Sequence, residues 1–341
     1  MNKQELIATA KALVAQGKGI LAADESTGTI GKRLSSIDTP NTEENRRDYR
    51  EMLFTTDGME AFISGVILFD ETLRQSGIDG TPFVKTLTAK GVIPGIKVDA
   101  GVKQLPGGLD GEKITEGLEG LGKRLAEYYE LGARFAKWRA VIEIDDSRPS
   151  ELCLKANAEA LARYAALCQA ANIVPIVEPE VLMDGDHTIE RCEEVTGKAL
   201  QALFAALKTH DVMLEGLLLK PNMVIPGLKC ARQASPDEVA AATLRCFREH
   251  VPAGVPGIVF LSGGQADDVA TANLNAMNAA SGDKPWALSF SYGRALQAAA
   301  LKAWGGKPAN VTAAKHAFYH RAKLNGQAAT GAYQPVMEGA A

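Results

Sequence analysis

Three lysines of this chain interrupt or end short runs of apolar residues, namely Lys97, Lys137 and Lys220. Burial and neighbouring cations both disfavour the ammonium form, so lysines gathered in one place are predicted to have pKa values below the reference of ~10.4. A neutral amine can attack a carbonyl and form a Schiff base, whose iminium stabilises a carbanion on the adjacent carbon. The same lysines could instead bind an anion and do nothing more. The residues alone leave both interpretations open.

Several carboxylates also lie within or just after short apolar runs. Side chains two positions apart on a strand point to the same side, and three such charged pairs occur: Lys97 with Asp99, Lys137 with Arg139, and Glu178 with Glu180. Asp24 follows another apolar run, from Gly19 to Ala23. Asp24, Glu178 and Glu180 could move the protons that carbonyl chemistry requires.

Glycine and hydroxyl residues follow two late apolar runs, as Ser262-Gly263-Gly264 and as Ser291-Tyr292-Gly293-Arg294. Backbone N–H groups at a glycine-rich turn before a helix bind phosphate well, and a guanidinium can contact phosphate through two hydrogen bonds. The sequence therefore predicts a phosphate site there. The excess of cations suggests that more than one phosphate is bound.

The elements that must position these residues are eight short runs separated by segments with helical periodicity. The runs are Gly19–Ala23, Val66–Phe69, Gly95–Val98, Ala133–Ala140, Ile173–Val177, Leu217–Leu219, Gly257–Leu261 and Ala287–Phe290. Alternation of such strands with helices indicates a parallel sheet covered on both faces. Eight units predict a closed (β/α)8 TIM barrel, whose functional residues lie at the C-terminal ends of the strands.

Two other organisations fit the chain less well. A doubly wound open sheet usually carries an early Gly-x-Gly-x-x-Gly turn, and residues 17–22 do not match that pattern. Length alone would allow two domains. We predict a single barrel domain over residues 1–325, with an N-terminal helix, and a flexible tail over residues 326–341.

Composition excludes several classes of protein. Lys plus Arg number 37 against 41 Asp plus Glu, which gives a net charge of −4 and argues against nucleic acid as a partner. No apolar run approaches the ~18 residues of a membrane helix. Five cysteines without a Cys-x-x-Cys pair fit reduced thiols. We expect a cytoplasmic protein that does not bind a membrane.

Six segments resemble class I fructose-1,6-bisphosphate aldolase, in order and over residues 5–325. They are the segments 19–28, 135–139, 176–180, 218–223, 261–265 and 291–296. The resemblance implies a (β/α)8 barrel lyase of glycolysis and gluconeogenesis that is usually a homotetramer. It implies reversible cleavage of fructose 1,6-bisphosphate to dihydroxyacetone phosphate and glyceraldehyde 3-phosphate. It also implies a covalent lysine Schiff base, with no metal or other cofactor.

The resemblance further implies a role for individual residues. Lys220 corresponds to the Schiff-base lysine, Asp24 to the acceptor of the C4 hydroxyl proton, and Glu178 to the acid and base of iminium formation. Lys137 and Glu180 correspond to supporting residues of the same cluster. The residues expected to bind substrate or its phosphates are Ser26, Thr29, Arg33, Lys97, Arg139, Ser262, Gly263, Gly264, Ser291, Gly293 and Arg294.

The sequence departs from the animal members of that family in two places. Those members end in a tyrosine that helps exchange the enamine proton, whereas this chain has only Tyr333 in its tail, eight residues from the end. Asp70 stands where a histidine is expected. A transaldolase-like Schiff-base lyase and a non-catalytic scaffold are the alternatives. A scaffold would not require Asp24, Lys137, Glu178 and Lys220 together.

Overall fold

The structure is a computed structural model that describes residues 1–339. Its main feature is a closed barrel of eight parallel strands, in which the first strand pairs with both the second and the last. The barrel strands are β1 (Gly19–Ala23), β2 (Ile63–Leu68), β3 (Ile93–Lys97), β6 (Phe135–Ile142), β7 (Val174–Val181), β8 (Leu218–Leu219), β9 (Gly257–Phe260) and β10 (Ala287–Tyr292). The eight predicted strands are thus confirmed, although β2 begins three residues earlier and β7 extends to Val181.

Helices cover the outside of the barrel, as the alternating pattern predicts. They are α1 (Lys3–Leu13), α2 (Thr27–Ser35), α3 (Glu43–Phe54), α4 (Asp70–Arg74), α5 (Phe83–Ala89), α6 (Leu121–Glu130), α7 (Glu151–Ala170), α8 (Ile189–Thr209), α9 (Pro236–His250), α10 (Asp267–Ala279), α11 (Arg294–Trp304) and α12 (Val311–Ala328). Short 3-10 turns occur at Met59–Ala61, Leu214–Gly216, Pro308–Asn310 and Pro335–Gly339. A capping box formed by Ser235 and Glu238 begins α9. No helix within residues 1–339 combines the length and apolar character needed to span a membrane.

Helix α1 closes one end of the barrel. Its residues Leu6, Ala10 and Leu13 belong to a buried cluster that also contains apolar residues from the barrel strands, among them Ile20, Phe135, Ile176, Leu218 and Val259. Because strand side chains alternate between faces, residues two positions further along the same strands also point inward. The inward-facing side chains of the strands are therefore apolar at the end closed by α1 and charged at the open end.

One element between β3 and β6 was not predicted. Residues Val102–Gln104 (β4) and Lys113–Thr115 (β5) form a small antiparallel hairpin. Gly101 and Val102 line the open end of the barrel, so this hairpin forms part of its rim. Its strands are three residues long, and Val102–Gln104 is exposed, so no buried apolar run marks it in the sequence.

The last described residues pack against the helices. Helix α12 continues to Ala328, so the predicted end of the barrel domain at residue 325 falls inside a helix and is too early. Tyr333 is buried, its N–H donates to Asn275, and its hydroxyl donates to Glu338. Glu338 also pairs with the buried guanidinium of Arg321. The segment predicted to be a tail thus includes the end of α12 and the packed residues Tyr333 and Glu338, and its residues 340–341 lie outside the described residues.

Candidate active site

Strand alternation brings the charged residues to the open end of the barrel. Glu178 follows Ile176 by two positions on β7, Lys137 follows Phe135 on β6, and Lys220 follows Leu218 just after β8. Each apolar partner belongs to the cluster that closes the barrel beneath. The site therefore depends on three neighbouring strands, which pair in the order β6, β7, β8.

Four side chains at this end form a continuous chain of opposite charges. Lys220 Nζ lies 3.2 Å from Glu178 Oε1, and Lys137 Nζ lies 3.0 Å from Glu178 Oε2. Lys137 also donates a hydrogen bond of 3.0 Å to Asp24 Oδ2. The four side chains are between 3% and 13% exposed. Charges buried to this extent are stable only when paired.

The pKa of Lys137 moves in the direction opposite to the one predicted. Burial opposes its charged form, but the carboxylates of Asp24 and Glu178 outweigh burial and raise the pKa of Lys137 above its ordinary value. The prediction for Lys137 was wrong because it considered neighbouring cations and left out the closer carboxylates.

The pKa values of Asp24 and Glu178 shift in the opposite direction. Burial alone would raise their pKa values, but Lys137 and Lys220 outweigh it and lower the pKa of both Asp24 and Glu178. Both carboxylates are therefore ionised at neutral pH. A carboxylate in its basic form next to Lys220 can accept a proton from that amine.

Glu180 lies on the same strand as Glu178 but has a different partner. It pairs with Arg139, and this ion pair raises the pKa of the guanidinium although burial opposes its charge. Lys97, the last residue of β3, pairs with Asp99 at 3.3 Å. The three pairs predicted from their spacing thus face the same cleft, but only Lys97 and Asp99 contact each other as partners within a pair.

The predicted phosphate loop follows β9. Ser262 is buried, and Gly263 has a φ of +57°, a left-handed conformation that favours glycine. Arg294 is the first residue of α11 and donates to the Gly263 carbonyl. Ser291 on β10 is buried, and its hydroxyl has no hydrogen-bond partner within the described residues. A guanidinium, a hydroxyl and loop N–H groups are thus placed together.

The other predicted binding residues lie at the start of α2. Ser26 is the N-cap residue, and its hydroxyl lies 3.1 Å from the hydroxyl of Thr29. Arg33, in the last turn of the same helix, forms an ion pair with Glu25. Side chains from this helix therefore face the cleft from the β1 side.

Glu25 has a role that the sequence analysis missed. Its carboxylate binds Arg33 and accepts hydrogen bonds from Arg50 at 2.9 Å and from Gln297 at 2.9 Å. Arg50 is 1% exposed and also donates to the carbonyls of Ala23 and Glu25. Arg50 is one turn from Leu53 on the buried face of α3, so its spacing indicates that it is buried but not that Glu25 is its partner.

All the predicted site residues line one cleft of about 570 Å³. They are Asp24, Ser26, Thr29, Arg33, Lys97, Lys137, Arg139, Glu178, Glu180, Lys220, Ser262, Gly263, Gly264, Ser291, Gly293 and Arg294. Asp70 and Tyr333 are not part of its lining: Asp70 begins α4 and binds Arg74 and Tyr128. A larger groove of about 1100 Å³ lies between α9 and α10. Six of its sixteen lining residues are alanine and none of them is lysine, so we place the chemistry in the barrel cleft.

The described residues contain no cluster of metal-ligating side chains. Within the part of the chain that the structure describes, no group of three or more His, Cys, Asp or Glu residues is arranged to hold a metal ion. The five cysteines are all free thiols, and four of them are buried.

Comparison with known proteins shows close similarity over nearly the whole chain. The sequence profile of the family "Fructose-bisphosphate aldolase class-I" matches residues 5–341. A protein of Xanthomonas campestris pv. campestris described as a probable fructose-bisphosphate aldolase class 1 is 57% identical over 98% of this chain and 100% of that one. The cytosolic fructose-bisphosphate aldolase 6 of Arabidopsis thaliana is 58% identical, over 97% of this chain and 92% of that one.

The fold agrees with a solved structure of the same kind of enzyme. The aldolase of Plasmodium falciparum, solved in complex with TRAP and a small-molecule inhibitor, superposes with a TM-score of 0.95 at 52% identity. The match covers 97% of this chain and 95% of that chain.

The barrel and the match across its length define a carbon–carbon lyase of the TIM-barrel class. The chain belongs to the class I fructose-bisphosphate aldolase family. Its reaction is the reversible cleavage of fructose 1,6-bisphosphate to dihydroxyacetone phosphate and glyceraldehyde 3-phosphate, a step of glycolysis.

Proposed function

We propose that Lys220 is the nucleophile that attacks the C2 ketone of the substrate. One observation carries this assignment: Lys220 is the buried lysine with a single carboxylate contact, to Glu178 at 3.2 Å, whereas Lys137 is held between two carboxylates. A lysine fixed between two anions stays charged. A lysine that can pass one proton to one neighbour can become a free amine.

Glu178 is the proton acceptor for that step. It is ionised at neutral pH because the two lysines lower its pKa. When Lys220 loses its proton, one of those two cations disappears, so the carboxylate becomes a stronger base as transfer proceeds. The neutral amine then adds to C2, and the carbinolamine that forms loses water. Glu178, now protonated, supplies the proton that lets the hydroxyl leave.

Asp24 and Lys137 act on the bond that breaks. When the C3–C4 bond cleaves, its electron pair moves into the iminium to form an enamine, and the C4 hydroxyl gives up its proton. Asp24 is ionised and lines the same cleft, so it is the acceptor we assign. Lys137 stays protonated between Asp24 and Glu178 and stabilises whichever carboxylate is charged.

The two ends of the cleft bind the two phosphates. Ser262, Gly263, Gly264, Ser291, Gly293 and Arg294 form the end that we assign to the C1 phosphate. Ser26, Thr29, Arg33 and Lys97 line the part of the cleft that we assign to the other phosphate, and Arg139 lines the same cleft. Hydroxyl, guanidinium and backbone N–H donors suit phosphate oxygens, and a charged phosphate strengthens each hydrogen bond.

Borohydride trapping tests the nucleophile. The protein is incubated with dihydroxyacetone phosphate, reduced, digested and mapped by mass spectrometry. We expect the label on Lys220 and none on Lys137. The matched variants Lys220→Met and Lys137→Met separate the two roles, because only the first abolishes labelling. A label on another lysine, or full labelling of Lys220→Met, would contradict the proposal.

The remaining parts of the proposal concern the metal requirement, the oligomeric state, the cellular location and the extent of the catalytic domain. A Schiff-base mechanism needs no metal, so we expect EDTA to leave the activity unchanged. We propose a homotetramer, which light scattering after gel filtration would measure. We propose a cytoplasmic enzyme, in line with the cytosolic plant relatives, and fractionation of the source cells tests this. We also propose one catalytic domain that ends with α12, and limited proteolysis would show whether the segment after it is mobile.

A further inference from the structure

One donor of the proposed phosphate loop is already engaged by the protein. The backbone N–H of Gly264 donates to the thioether sulfur of Met183, with 2.9 Å between nitrogen and sulfur. Met183 belongs to the loop after β7, is 5% exposed and lines the cleft beside Gly263 and Gly264. This methionine is absent from the mechanism described above, yet it contacts the loop assigned to the C1 phosphate.

The thioether packs directly on the two glycines. A Cβ atom at Gly263 would lie 2.0 Å from Met183 Cε, and one at Gly264 would lie 3.2 Å from Met183 Sδ. The backbone of Met183 is fixed from the other side, because Leu228 donates its N–H to the Met183 carbonyl at 2.8 Å. The loops that follow β7, β8 and β9 therefore meet at this one residue.

A thioether is a weak acceptor, whereas a phosphate oxygen is a charged one that binds N–H groups about twice as strongly as a neutral acceptor does. A phosphate that takes the Gly264 N–H must displace the sulfur. Methionine has three rotatable bonds and can turn aside without moving its backbone. The free energy needed to displace the sulfur therefore weakens the binding of phosphate at this end of the cleft.

We propose that Met183 is an affinity-setting residue of the C1-phosphate site, which competes with phosphate for the Gly264 N–H. The inference rests on the proposed assignment of Ser262–Gly264 and Arg294 to that phosphate. Removing the acceptor while keeping an apolar side chain should strengthen phosphate binding. One weak hydrogen bond corresponds to a factor of about two to five in affinity.

The test uses Met183→Leu, which keeps an apolar side chain and has no acceptor. We expect the KM for fructose 1,6-bisphosphate and the inhibition constant of inorganic phosphate to fall together by about two- to five-fold, with kcat changed less than KM. The matched control is Met223→Leu: Met223 Sδ accepts from the side chain of Gln265 at 3.7 Å, next to the same loop but not from a loop N–H. We expect Met223→Leu to leave both constants unchanged.

A second protein distinguishes loss of the sulfur acceptor from altered packing in Met183→Leu. Replacing all eight methionines by norleucine exchanges each sulfur for CH2 at nearly equal size. The inhibition constant of phosphate should fall by the same factor, and Met183→Leu should add nothing further in that background. An unchanged or higher inhibition constant in the norleucine protein overturns the inference, because a fall confined to Met183→Leu then reflects altered packing.

Failure of the phosphate assignment itself gives a different result. Arg294→Ala and Ser262→Ala should raise the inhibition constant of phosphate if these residues bind it. If they do not raise it, the proposed phosphate site is wrong, whatever the Met183 variants show. If they raise it while the Met183 and norleucine proteins equal the wild type, only the inference about Met183 is wrong.

Discussion

Replacing Lys137 by methionine tests the charge chain that organises the site. Its Nζ lies 3.0 Å from Asp24 and 3.0 Å from Glu178, and the Lys137 side chain is 6% exposed. At this separation each contact corresponds to a Coulomb attraction of about 5 kcal/mol in an effective dielectric constant of ~20. The cost of desolvating the charges offsets part of this. Removing one partner of a buried ion pair typically costs about 3–5 kcal/mol, which we expect for Lys137→Met at neutral pH.

The pH dependence of that cost gives the sharper test. In the wild type, Asp24 and Glu178 have lowered pKa values. Their contribution to stability is therefore complete above the unfolded pKa of about 4 and is lost as pH falls through the folded pKa. Without Lys137, burial dominates and the two carboxylates should take up protons at higher pH. Protonation relieves the unpaired charge, so the difference between variant and wild type should shrink as pH falls from 7 to 5.

Urea denaturation at pH 7 and pH 5 measures the free energy of unfolding of both proteins. The matched control is Lys155→Met, which breaks the pair with Glu151 on the surface of α7, where the two side chains are 71% and 79% exposed. Water screens that pair, so we expect no resolvable change. The reasoning is refuted if Lys137→Met costs no more than the control, or if its cost is the same at both pH values.

Three further predictions concern chemistry, packing and the C-terminal segment. Glu178→Gln should lower kcat by about 10²-fold or more and slow borohydride trapping, since the base beside the nucleophile is lost; unchanged trapping kinetics would contradict this. Gly19→Ala places a Cβ 2.6 Å from the ring and carbonyl of Phe290 and should destabilise the barrel by about 1–3 kcal/mol, whereas Gly28→Ala meets no atom within 4 Å and should not; equal urea midpoints would disprove the packing argument. Glu338→Gln removes the charge partner of the buried arginine in α12 and should lower the Tm by about 2 °C, and an unchanged Tm would show that this ion pair does not hold the segment.

Much of the fold could be predicted from the sequence, because the signals are local. An inward-facing side chain recurs at every second position of a strand, so Ile176, Glu178 and Glu180 had to share one face wherever β7 lay. The β4–β5 hairpin was missed because its strands are short and Val102–Gln104 is exposed. Glu25 was missed as a site residue because nothing in its neighbouring residues shows that two arginines and a glutamine reach it.

The sequence by itself determined which residues carry charge and that they stand at the ends of strands. It could not determine their partners. Lys137 and Asp24 are 113 positions apart, and only closure of the barrel brings them within 3.0 Å. Electrostatic interaction depends on distance and burial, so the raised pKa of Lys137 and the choice of Glu178 over Glu180 as its partner are properties of the tertiary structure.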